Sequence, residues 1–163
     1  LTLNMIISGG QTGADRAGLD AAMAAGLPVG GYCPKAREAE DGPIPDKYPL
    51  IEIKQGYRQR TIKNVEASDA TLIFYAVMPV TGTALTLQCC LKQKKPFKLI
   101  DMELVSPETA ATAIDAFIRK NEVSCLNVAG PREGSCTGIY AYVSDTIRIL
   151  LSRYNAQPTE SGG

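Results

Sequence analysis

Three glycines and a threonine punctuate the run Met5-Ile6-Ile7-Ser8-Gly9-Gly10-Gln11-Thr12-Gly13-Ala14-Asp15-Arg16, in which a short apolar stretch gives way to an alanine-rich, helix-forming one. Glycine lets a backbone approach a ligand closely, and the first N–H groups of a helix point outward at the positive end of its dipole. The chemistry such a turn can do is anion binding. Its spacing matches neither the G-x-G-x-x-G dinucleotide fingerprint nor a Walker loop, which ends in Gly-Lys-Ser/Thr, so the anion stays open. Asp15 supports a competing reading, a turn that caps itself through Thr12 or Asp15 and binds nothing.

The same device recurs twice. Val77-Met78-Pro79-Val80-Thr81-Gly82-Thr83 follows the strongly β-prone run Thr71–Ala76 and precedes a helix expected from about Ala84 to Lys94. Gly130-Pro131-Arg132-Glu133-Gly134-Ser135-Cys136-Thr137-Gly138 lies between a strand at Cys125–Ala129 and a closing helix at Ile139–Tyr154. Turns from neighbouring strands that open helices on one rim of a parallel sheet converge where the strand order switches. Thr81, Gly82 and Thr83 would then supply a second set of donors, and Arg132 and Ser135 would complete the pocket. Arg60 sits with Thr61 near the start of a helix expected over Arg58–Ala67, where a guanidinium can clamp an oxyanion with paired hydrogen bonds. Lys35 and Arg37 are further candidate anion contacts; a solvated surface is the plainer reading of each.

Composition removes several classes of function. Seventeen Lys and Arg balance seventeen Asp and Glu, so there is no global field of the kind that draws a protein to nucleic acid or to a membrane surface. Histidine is absent, which excludes a Ser/His/Asp triad, a Cys/His pair and any imidazole-ligated metal. The five cysteines are scattered without a Cys-x-x-Cys pair, as suits buried thiols in a reducing, cytoplasmic setting. No apolar run approaches the roughly 20 residues of a membrane span.

The elements that must position these loops read as one α/β domain over 1–154, a doubly wound, Rossmann-like parallel sheet with helices on both faces. Leu3–Ser8 is the first strand, and the helix after it carries a stripe of small residues, Ala14, Ala17, Gly18, Ala21, Ala22 and Ala25, that would let it sit close to the sheet. Further strands are expected at Val29–Cys33, Pro49–Lys54, Thr71–Ala76 (central) and Pro96–Asp101, and a helix capped by Ser106 and Pro107 runs on to Lys120. The polar segment Pro34–Tyr48, at the same rim as the glycine loop, is expected to be a lid or disordered. Residues 155–163 are expected to be a disordered tail.

Several of these stretches together resemble the putative molybdenum carrier family: Ser8–Arg16, Tyr32-Cys33-Pro34-Lys35, Ala39-Glu40-Asp41-Gly42, Ile44-Pro45, Tyr48-Pro49-Leu50, Arg60-Thr61 with Asn64-Val65, Ser68–Thr71, and Gly82-Thr83. Two positions depart from the family pattern: Ala36 stands where glycine is usual, and Glu38 lies near a commonly basic site. The resemblance implies a Rossmann-like fold similar to lysine-decarboxylase-like proteins, homo-oligomeric assembly as a dimer or tetramer, and binding of molybdenum cofactor or molybdate. On that reading Gly9, Gly10, Gln11, Thr12 and Gly13 cradle phosphate or oxyanion, and Thr81, Gly82 and Thr83 add donors. Lys35 and Arg60 neutralise charge, Asp15 accepts from a pterin or ribose donor, and no protein side chain need ligate the metal.

Two rivals use the same loops. Phosphoribohydrolases of similar fold carry a Pro-Gly-Gly-x-Gly-Thr-x-x-Glu motif whose carboxylate supports departure of the base. In this chain Leu85 and Thr86 stand where those glutamates would be, which argues for binding without that hydrolysis unless Asp15, Asp41 or Glu133 substitutes. A nucleotide-sensing module would need no catalytic group at all.

Overall fold

A computed structural model describes residues 2–76 and 81–155 of the chain. In order, the elements are β1 (Met5–Ile7), α1 (Ala14–Ala24), β2 (Val29–Gly30), β3 (Tyr32–Cys33), β4 (Ile51–Glu52), α2 (Tyr57–Ala67), β5 (Ala70–Tyr75), α3 (Thr81–Gln93), β6 (Phe97–Asp101), α4 (Pro107–Lys120), β7 (Cys125–Ala129) and α5 (Ile139–Asn155). Five strands form one parallel sheet in the order β2-β1-β7-β5-β6. No described helix is long and apolar enough to cross a membrane.

Alternation along the strands sorts the two faces. Leu72 and Phe74 of β5 and Leu126 and Val128 of β7 join Ile6 in the main core, with α1, α4 and α5 packed over them. The small-residue stripe of α1 does what its spacing predicts at Gly18, where a Cβ would press on Val128 at 3.0 Å. Ala25, placed in that stripe, is instead exposed just past the helix end. On the opposite face α2 meets α3 through Val65, Cys89 and Cys90. The doubly wound α/β reading therefore holds, and Ser106 caps α4 by accepting from the Thr109 N–H at 3.2 Å.

Four expectations need correction. First, β1 and β5 are not neighbours: the last strand, β7, inserts between them, pairing Ile6 with Leu126 on one side and Thr71 with Asn127 on the other. Secondly, Val29–Cys33 is not one strand. Gly31, at φ 125, turns its Cα against the Ser8 carbonyl, so β2 stays on the main sheet while β3 leaves it to pair with β4 in a separate two-stranded ribbon. Thirdly, α3 begins at Thr81, not Ala84, placing Gly82 and Thr83 inside its first turn. Fourthly, α5 runs on to Asn155; the rest of the expected tail, like Val77–Val80, lies outside the described residues.

The segment 34–48 is neither disordered nor an open lid. Leu19, Cys33, Ala39, Ile44, Tyr48 and Leu50 bury one another in a second core beneath it. Arg37 organises the loop from within: its Nε donates to the Ile44 carbonyl at 2.9 Å, and its terminal nitrogens donate to those of Pro45, Tyr48 and Leu50 at 2.9 to 3.3 Å. A guanidinium so engaged is a structural centre, which corrects its candidacy as an anion contact. Ala36 sits at φ 62, the left-handed shape that a glycine, usual here in the resembling family, adopts without strain. The loop is tied to the domain by Asp20, whose carboxylate accepts from the Tyr48 and Tyr140 hydroxyls at 2.6 Å each. Burial, and then the hydrogen bond to Asp20, raises both phenols, Tyr140 to about 12, so both remain donors at neutral pH.

Replacing Arg37 with methionine keeps the aliphatic stem and removes the donors that four carbonyls share. The expected result in urea unfolding is a loss of about 2 to 3 kcal/mol. Unchanged stability would show that the loop is held by its apolar contacts alone.

Candidate functional site

The first glycine loop is shaped by its own side chains. The Ser8 hydroxyl donates to the Asp15 carbonyl at 2.9 Å and accepts from the Gly10 N–H at 3.3 Å. The Gln11 N–H donates to the Asp15 carboxylate at 3.4 Å, the Thr12 N–H to the Gln11 side-chain oxygen at 3.0 Å, and the Ala14 N–H to the Pro131 carbonyl at 3.2 Å. The Asp15 carboxylate thus braces the loop ahead of α1, and no described side chain caps the helix itself.

Asp15 is 3% exposed and receives Arg60 from α2, with Nη1 to Oδ2 at 2.8 Å. The guanidinium reaches it by crossing directly over Gly9, where any Cβ would collide with Arg60 Nη1 and lie 2.5 Å from Cζ. Burial outweighs the attraction of Arg60 and lifts the Asp15 carboxyl above its ordinary range. Arg60 Nε is buried with no hydrogen-bond partner among the described residues.

Beyond this pair opens a cleft of about 370 Å3, lined in part by Gly9, Gln11, Asp15 and Arg60, by Gly82 and Thr83 of the first turn of α3, and by Arg132 and Ser135. The loops after β1 and β7 and the first turn of α3 therefore share one hollow at the carboxyl rim of the sheet; the loop after β5 lies outside the described residues. The inserted β7 brings its loop between the glycine loop after β1 and the first turn of α3. Gly82 leaves open space where a Cβ would be, so the α3 backbone is flush with the cleft.

The remaining candidates are turned to other work. Gly10 packs beneath Leu50 and Ile44, at 2.5 and 3.0 Å from an added Cβ. Gly13, at φ 80, faces the backbone of residues 131–133, with the Glu133 nitrogen 2.7 Å from an added Cβ. The Thr12 hydroxyl donates to Glu40 and accepts from the Glu133 N–H at 3.3 Å. Lys35 lies exposed outside the cleft lining, and of Thr81 only the backbone is described.

Tyr57, Asn64, Thr86, Asn127 and Gly130 also line the cleft, and none of them is a ligand contact expected from the sequence. Asn127 carried a signal, a carboxamide inside the apolar run Cys125–Ala129; it donates to the Thr71 hydroxyl at 3.2 Å. Tyr57, the first residue of α2, is 40% exposed and lies with its ring centroid 5.6 Å from Arg60 Cζ. Nothing in its sequence context marked it.

Of the carboxylates weighed as substitutes for a catalytic glutamate, only Asp15 reaches the cleft. Asp41 pairs with Arg16 at 2.5 Å, and Glu133 accepts from the Gly138 and Tyr140 N–H groups at 2.7 and 3.1 Å at the start of α5. Leu85 and Thr86 line the wall where such glutamates would project. Each arginine of the cleft is matched by an acid, Arg60 by Asp15 and Arg132 by Glu40 at 3.5 Å. Among the described residues no three His, Cys, Asp or Glu side chains come together as metal ligands.

A carboxyl whose folded pKa is raised favours folding when protonated. Stability tied to Asp15 is therefore present below its ordinary value of 3.8 and lost as pH rises from there through the raised value. Across a pH series of urea unfolding, the wild type should lose ground against Asp15→Asn over that window and hold level above it; a relative gain would contradict the assignment. Gly9→Ala should cost about 3 kcal/mol by forcing Arg60 off Asp15.

The family described as circularly permutated YpsA SLOG matches residues 6–151. A crystal structure of a "Putative molybdenum carrier protein" from Syntrophus aciditrophicus SB, at 1.45 Å resolution, is 43% identical over 92% of this chain and 96% of that one, with a TM-score of 0.90. No curated protein matches the chain. With the family match running from the first strand to the last helix, the chain belongs to the circularly permutated YpsA SLOG family.

Proposed function

We propose that the cleft holds a planar heterocycle bearing an anionic group, of the molybdenum-cofactor type, and that the protein binds and releases it without transforming it. The observation that carries this reading is Arg60: it lines the cleft, gives one nitrogen to Asp15, and keeps Nε buried with no acceptor among the described residues. A buried donor left unmatched costs about 1 to 3 kcal/mol, which an acceptor on a bound molecule would relieve. The name "Putative molybdenum carrier protein" of the similar structure supports a ligand that bears molybdenum.

Charge and shape favour the whole cofactor over bare molybdate. A compact dianion needs uncompensated positive charge, and both arginines of the cleft are already matched. A pterin offers a polar ring to Gln11, Thr83 and Ser135 and a face to Tyr57. The cleft is also of the size that small organic ligands occupy. The metal travels with its pterin, which supplies the dithiolene sulfurs that ligate it. A nucleoside monophosphate shares ring and phosphate and is the second reading, favoured by the aromatic face of Tyr57. Hydrolysis of such a nucleotide is disfavoured by Leu85 and Thr86.

In calorimetry, a pterin monophosphate and the cofactor itself should bind at micromolar levels, while molybdate alone gives no heat at millimolar levels. Tight molybdate binding with none of the pterin would overturn the reading. Tyr57→Leu should weaken the pterin about 5- to 100-fold, the range of a lost aromatic stack. Incubation with AMP should release no adenine; release of free base would turn the binder into an enzyme.

A further inference from the structure

Glu40 reaches the rim of the cleft from the loop that Arg37 organises. One of its carboxylate oxygens accepts from the Thr12 hydroxyl and from the Gly134 N–H at 2.9 Å, and the other lies 3.5 Å from Arg132 Nε. Gly134 makes room for it: an added Cβ would stand 2.6 Å from Oε2 and 3.2 Å from the carboxyl carbon. The Glu40 N–H donates to the Gln11 side chain at 2.9 Å, so two of its neighbours, Gln11 and Arg132, are themselves walls of the cleft.

A hydroxyl, a backbone amide and a guanidinium converging on one carboxylate also suit a phosphate, which has the same charge-assisted acceptor geometry. We propose that Glu40 is a resident competitor for the anionic end of the ligand and so sets the selectivity of the site. While Glu40 is seated, Arg132 is matched and a free inorganic anion gains little by entering. A ligand whose ring is already anchored presents its phosphate at high effective concentration and can displace the side chain into water. The loop itself stays in place, because Arg37 and the Arg16–Asp41 pair hold it independently. The Thr12 and Gly134 hydrogen bonds hold the Glu40 carboxyl below the usual range, so it is charged throughout the neutral region. This inference rests on the reading of the cleft as a site for an anionic heterocycle, but its test separates the two.

Glu40→Gln keeps the shape and removes the charge. Calorimetry would compare wild type and variant for a pterin monophosphate and for the same pterin without its phosphate, and amide spectra would follow Gly134 as inorganic phosphate is added. The variant should bind the monophosphate about tenfold tighter, as expected for removing one nearby like charge. The phosphate-free pterin should change less than twofold, and inorganic phosphate should move the Gly134 amide only in the variant. An unchanged or weaker monophosphate affinity in the variant, or a Gly134 amide indifferent to phosphate in both proteins, overturns the proposal. If neither pterin binds either protein while phosphate still moves Gly134 in the variant alone, Glu40 keeps its role and the cofactor reading of the cleft falls.

Discussion

A buried carboxylate and the arginine that crosses the chain to meet it set the geometry of this protein's carboxyl rim. Asp15 in the first turn of α1 and Arg60 in the first turn of α2 join helices from opposite faces of the sheet, and they do so across a residue with no side chain. Burying two charges is costly, and such a pair is tolerated where hydrogen bonds complete it. Here the Gln11 N–H completes the acid, while Arg60 Nε is left without an acceptor among the described residues. Arg60 also lines the cleft, which ties the pair to the candidate site as well as to the fold.

The rest of the rim repeats that logic. Arg132 is matched by Glu40 as Arg60 is by Asp15, so the walls present hydrogen-bonding groups and one aromatic face without a surplus of charge. A wall of that kind discriminates by shape and by ring chemistry before it discriminates by charge. The α3 backbone at Gly82, where a side chain would fit but is absent, lies flush with the cleft.

Much of this was readable from residue types. Strand, turn and helix order, the meeting of the β1 and β7 loops with the first turn of α3 in one hollow, and the place of Arg60 beside the first of them follow from glycine spacing and apolar runs. The uses of individual glycines did not follow, because glycine is required as strongly by a close backbone as by a ligand. Gly13 yields to the 131–133 turn and Gly10 to Leu50, and neither opens onto the cleft. The insertion of β7 between β1 and β5 is a topological choice that no local pattern encodes. Arg37 misled for a related reason: a basic residue in a polar loop reads as an anion contact, and only the folded loop reveals four carbonyls closing around it.

The central claim is that a ligand carrying its metal lodges between the first turns of α2 and α3, against Arg60. Crystals of the protein loaded with molybdenum cofactor, measured at the molybdenum absorption edge, test it most directly. The account predicts an anomalous peak inside the cleft, with ligand density reaching Arg60 Nε and the α3 backbone at Gly82. A well-occupied peak elsewhere on the molecule, with the cleft filled only by solvent, would contradict it.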